Sequence, residues 1–177
     1  LGQAVEGLYP LYWSDGDKIS ANGVESNAIS IGEGVTAASF TIPAALDAPY
    51  CIAYPAAPAG QVLFAENQVH AGNGTFGNGV STMYAYGSAE GVQLNHLTGV
   101  LKIGVTGADK LTFAQISTVD RAPIAGAFAL NFESGELEAT ATANSVINYS
   151  FGEGVQLSGD ATYIHVAVPA GVYDELY

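Results

Sequence analysis

His96-Leu97-Thr98-Gly99-Val100-Leu101-Lys102-Ile103-Gly104-Val105-Thr106-Gly107 carries the clearest structural period in the chain. Leu101, Ile103 and Val105 alternate with Lys102, Gly104 and Thr106, so one face of the run is apolar and the other is small or polar. That two-residue period belongs to a strand with one face on a core and the other in water. Gly107-Ala108-Asp109-Lys110 follows as a turn, and Leu111-Thr112-Phe113-Ala114-Gln115-Ile116 returns as a second β-prone run. The pair is expected to form a long hairpin near the middle of the chain.

Toward the C-terminus the same period recurs. Phe128, Leu130 and Phe132 alternate, Ser134-Gly135 turns the chain into 137–142, and 146–151 follows. Thr162 to Val168 is a further strand with Ile164, Val166 and Val168 inward. Toward the N-terminus, Leu8 to Trp13 is an apolar and aromatic run broken by Pro10, and Ser14-Asp15-Gly16-Asp17 makes a turn. Short strands are expected at 18–21, 28–31 and 37–42, with Asn22-Gly23 opening the loop after the first and Pro43 ending the third. In 50–54, Tyr50, Ile52 and Tyr54 share one face, and Cys51 and Ala53 the other. Residues 55–60 hold two prolines and form a loop, 61–65 and 83–86 are strands, and the glycine-rich tract 72–79 is a surface loop.

Apolar residues nowhere recur at i, i+3, i+4, i+7 over three turns, so no long amphipathic helix is expected. Short strands separated by Gly, Asn and Asp turns indicate an antiparallel sandwich. The ten residues Leu101, Ile103, Val105, Phe113, Phe128, Leu130, Phe132, Ile164, Val166 and Val168 are its expected core. A faint echo links Ala28-Ile29-Ser30-Ile31-Gly32-Glu33-Gly34-Val35 with Asn148-Tyr149-Ser150-Phe151-Gly152-Glu153-Gly154-Val155, as two similar strand–turn–strand units would.

Residues 1–177 fit one domain with room for a continuous core. Seventeen acidic residues stand against four basic ones, a net charge of −13. Lys18, Lys102, Lys110 and Arg121 alone do not neutralise a run of phosphates, so nucleic acid is not an expected partner. The same arithmetic weakens attraction to an anionic membrane surface. No run approaches the roughly 18–20 apolar residues of a membrane helix. No signal segment opens the chain, so any export signal is expected to have been removed. Cys51 is the single cysteine and reads as a small buried hydrophobe.

Chemistry is hard to find. Asp15-Gly16-Asp17 begins like a calcium loop but lacks the third acidic or amide ligand and the closing Glu. Glu133, Glu136 and Glu138 bracket a turn and are expected to face water. His70, His96 and His165 have no paired metal-ligand spacing. No Gly-x-Ser-x-Gly elbow exists, and the glycines at 72–79 open no helix after a strand. No metal, no cofactor and no enzymatic activity are expected.

Five segments in order resemble the fimbrillin family of Bacteroidales, the major fimbrial subunit-like proteins of type V pili. They are Trp13-Ser14-Asp15-Gly16-Asp17-Lys18-Ile19, 50–55 with its Tyr-Pro-Ala end, and Leu97-Thr98-Gly99-Val100-Leu101-Lys102-Ile103. Ile124-Ala125-Gly126-Ala127-Phe128 and Val168-Pro169-Ala170-Gly171-Val172-Tyr173 complete the set. Their order is similar to the family's amino-terminal domain. The resemblance implies an all-β, antiparallel transthyretin-like β-sandwich, export as a lipoprotein precursor and a place at the cell surface, in a fimbrium or at the outer membrane. It also implies assembly with other fimbrial subunits by strand donation, after proteolytic removal of an amino-terminal strand, and a contribution to adhesion.

Two departures matter. No lipoprotein cysteine opens the chain, and Arg121, its only arginine, lies deep inside, so the family's processing site does not carry over. The chain ends where the family usually continues into another strand and a second domain. It is therefore expected to be an excised amino-terminal domain of a larger subunit or a mature chain cut short. Gly171-Val172-Tyr173-Asp174-Glu175-Leu176-Tyr177 starts a strand-like pattern with no following turn, which makes Val172, Tyr173, Leu176 and Tyr177 the expected assembly edge. The alternative is a surface lipoprotein or tip adhesin of the same fold, binding a glycan or a host protein.

Overall fold

A computed structural model of the protein describes residues 11–72, 74–88 and 91–177. The expected run at 8–10 and the Asn73 position of the glycine tract lie outside them. The described residues contain strands and no helix. The first seven strands are β1 (Ser20–Ala21), β2 (Val24–Glu25), β3 (Tyr50–Tyr54), β4 (Gln61–Phe64), β5 (Asn67–Val69), β6 (Met83–Gly87) and β7 (Asn95–His96). The remaining six are β8 (Thr98–Val105), β9 (Lys110–Ser117), β10 (Gly126–Leu130), β11 (Leu137–Ala139), β12 (Val146–Gln156) and β13 (Thr162–Pro169).

They form four sheets, ordered β2-β1-β3-β6-β7, β11-β10-β4, β5-β12-β9 and β13-β8. Every pairing is antiparallel except that of β5 with β12. The protein is therefore all-β, with several antiparallel sheets stacked as in a β-sandwich. Ile116 of β9, Ile147, Tyr149 and Phe151 of β12, and Ile164, Val166 and Val168 of β13 form one core between the last two sheets. Ala53, Val62, Phe64, Phe128, Leu130 and Phe132 form a second. A third gathers Ile19, Tyr54 and Met83, with Trp13 edge-on to Phe40 at 4.9 Å and to Tyr54 at 5.1 Å. The alternation read in 50–54 holds: Cys51 and Ala53 meet the second core, Ile52 and Tyr54 the third.

The expected central hairpin does not form. β8 pairs along its whole length with β13, from Val105 opposite Thr162 to Thr98 opposite Pro169. β9 pairs instead with β12. The turn at 106–109 thus carries the chain from one sheet of a sandwich to the other. Both strands still turn apolar residues to one core, but from opposite sides of it.

Phe113 is the second correction, being 53% exposed. Ile116 and Ala114 stand opposite the buried Ile147 and Tyr149, which fixes that face of β9 inward and Phe113 outward. A bulge in β12 between Ser150 and Val155, with Gly152 and Gly154 at φ 57° and 92°, then shifts the register so that Leu111 packs on the core. Phe128, Leu130, Phe132, Ile164, Val166 and Val168 are buried as expected, whereas Leu101, Ile103 and Val105 are only half-buried.

The N-terminal strands are fewer than expected. Residues 28–31 and 37–42 are not strands; isolated bonds such as Asn27 N–H to Thr41 O at 2.9 Å and Ile29 N–H to Asp17 O at 3.1 Å hold them. Asn22 (φ 50°) and Gly23 (φ 82°) instead make the two-residue turn joining β1 to β2. A Cβ on Gly23 would lie 2.6 Å from the Ala59 nitrogen, so glycine is required there. The echo between 28–35 and 148–155 has no structural counterpart, since only the second copy lies in a strand.

Candidate functional site

The chain's last residues turn back on the fold. After β13 the Tyr173 hydroxyl donates to the Pro169 carbonyl at 2.5 Å, and its ring packs against the first core. Glu175 to Tyr177 then run antiparallel to 117–119. Val119 N–H donates to Glu175 O at 3.2 Å, and Ser117 and Tyr177 exchange N–H to carbonyl bonds of 3.1 and 2.9 Å. Of the four expected assembly residues, Tyr173 and Leu176 are partly covered, while Val172 is 96% exposed and Tyr177 71% exposed.

This segment reaches only the last residue of β9 and the two that follow it. β9 has β12 on one side, and β8 has β13 on one side. Among the described residues no strand pairs with the other side of either. β8 and β9 are thus the two edges of one flank of the sandwich. Behind that flank lie Leu101, Ile103, Val105, Leu111 and Ala114, packed on the first core but partly open to solvent. Strand edges that no strand among the described residues pairs, beside half-covered apolar side chains, are a template for another strand. Lys102 and Lys110 sit on the two edge strands, and edge lysines oppose indiscriminate pairing.

The other candidates resolve into structure. Asp17 accepts from Ser14 N–H at 2.7 Å and from the Tyr54 hydroxyl at 2.9 Å, so it staples the turn to the third core. Burial, and then that bond to Asp17, push the Tyr54 hydroxyl pKa up. Asp15 accepts from Ile31 N–H at 3.3 Å, and Glu133 from the Tyr86 hydroxyl at 2.8 Å. No group of three or more His, Cys, Asp or Glu suited to a metal occurs among the described residues. Cys51, expected to be buried, is only half-buried; burial, and secondarily Glu133, raise its thiol pKa, which favours the protonated form over the reactive thiolate. No helix among the described residues is long and apolar enough to cross a membrane.

Gln68 was invisible to pattern reasoning. Its side chain, 2% exposed, donates from Nε2 to the Ala167 carbonyl at 2.7 Å and accepts the Ala167 N–H at Oε1 at 2.9 Å. One amide side chain thereby replaces a strand's backbone on the side of β13 away from β8.

Comparison of the chain with protein-family models, with characterised proteins and with solved structures gave no match.

Proposed function

We propose that this domain is a structural subunit of bacterial surface fimbriae, of the fimbrillin type and with a transthyretin-like sandwich. In this reading it polymerises when a strand of a neighbouring subunit enters the flank between β8 and β9. The observation that carries the reading is the half-buried row Leu101, Ile103 and Val105 behind a strand edge that no strand among the described residues pairs. Main-chain bonds to that edge supply affinity, and alternate apolar side chains dropping onto the row set register. The short pairing of 175–177 with 117–119 supports the same geometry, because it begins an antiparallel ladder on the open side of β9. The fimbrillin reading itself rests on the five-segment resemblance.

The test is a photo-crosslinking amino acid at Leu101 or Leu111, with the chain expressed in the organism that makes it. A ladder of covalent multimers, with the crosslink mapping to a strand of another subunit, is the expected result. Monomer alone at both positions, with the protein at the cell surface, would overturn assembly through this flank and favour a surface adhesin.

A further inference from the structure

Lys102 and His165 stand directly opposite each other in the β8–β13 ladder, on the face of that sheet turned away from the first core. Side chains at such positions are near neighbours. Together with Val100, Phe76, Ser81 and His96 they line a pocket of about 290 Å³. Phe76 and Val80 pack on Ala167 beside it and form an apolar wall.

Two side chains of this pocket lack a hydrogen-bonding or ionic partner among the described residues. His165 is 7% exposed, its Nδ1 has no hydrogen-bond partner, and no bond within the described residues fixes its tautomer. Lys102 has no carboxylate partner among the described residues, where the ion pair is Lys18–Glu25 at 2.6 Å. The Lys102 ammonium rests over the Tyr163 ring, 4.2 Å from its centroid. In a chain of net charge −13, a lysine and two histidines thus share one pocket with no acid among the described residues that line it.

We propose that this pocket binds a carboxylate carried on a compact apolar body. The ammonium of Lys102 supplies the charge, the His165 imidazole an N–H and Ser81 a hydroxyl, while Val100 and Phe76 receive the apolar part. A carboxylate rather than a metal cation is selected, because the described residues of the lining supply donors and a positive charge and include no acid. His165 stays neutral until an anion arrives, since burial, then Lys102 and His70, disfavour its protonation. His96 is the further titratable group lining the pocket, and Tyr149 lies across β13 in the first core. An entering carboxylate reverses that bias, so binding takes up a proton and strengthens as pH falls toward 6.

The experiment is a calorimetric titration of the whole chain with benzoate and, as its neutral match, benzamide. Benzoate is expected to bind saturably. Benzamide, and benzoate on Lys102→Gln, should each bind about tenfold more weakly or worse, as loss of a charge-assisted bond requires. Lys102→Arg should restore binding. Equal affinity for benzoate and benzamide, or benzoate binding unchanged in Lys102→Gln, overturns the proposal, and the first comparison needs no variant to fold. Tighter binding of glucuronate than of benzoate overturns the apolar-bodied ligand in favour of an acidic sugar.

Discussion

Replacing Gln68 by Leu tests how the outer side of β13 is closed. Leucine matches the volume but removes both functions of the amide. The Ala167 N–H loses its 2.9 Å bond, the Ala167 carbonyl its 2.7 Å bond and the Ala65 carbonyl a weaker one of 3.2 Å. Ala167 is itself buried, so water does not replace those partners. Each orphaned buried group costs about 1–3 kcal/mol. Taking the two Ala167 groups in full and discounting the longer bond, the total is about 2–6 kcal/mol. Urea denaturation followed by tryptophan fluorescence measures it as a lower midpoint at unchanged slope. Native-state exchange should show the Ala167 amide opening much sooner than its neighbours in β13. A loss below about 1 kcal/mol, with Ala167 still protected, would mean the backbone finds another partner and would refute the reasoning.

Phe128 is 5% exposed and packs edge-on to Phe64 at 5.1 Å, so Phe128→Ala should lower stability by about 3–5 kcal/mol in the same assay. Burial lowers the pKa of His70, which packs among the Tyr149 and Phe151 rings; burial, then Lys102 and His70, lower that of His165. Their neutral forms favour the fold, so this stability is full above about pH 6.5 and is lost as pH falls through their lower folded-state values. Carboxylates stay ionised down to about pH 5, so a urea midpoint that fails to drop between pH 7.5 and 5.5 would contradict this.

Local period was legible in the residues; partnership was not. Phe128, Leu130 and Phe132 were readable because alternation alone says that such residues share a face. Phe113 was not, because its facing depends on Ile147, Tyr149 and a bulge at 151–154, all remote in sequence. The run around Leu101 was rightly a strand, yet nothing local distinguishes a hairpin from a crossing between two sheets. The short turn at 106–109 serves either. Gln68 sits in an unremarkable Asn67-Gln68-Val69, and Lys102 and His165 are joined only by a register that no short window contains.

That register also separates two uses of one strand. Leu101, Ile103 and Val105 face the first core and the open flank, while Val100 and Lys102 face the opposite pocket. A strand entering beside β8 would bond to its edge and lay side chains on the inner row, leaving the outer face uncovered. Assembly and anion binding are therefore compatible in one subunit. Lys102→Gln leaves the backbone edge and the inner row intact, so crosslinks from Leu101 should survive a substitution that abolishes benzoate binding. Joint loss of both would mean that Lys102 shapes the edge itself, and the two faces of β8 would have to be treated as one site.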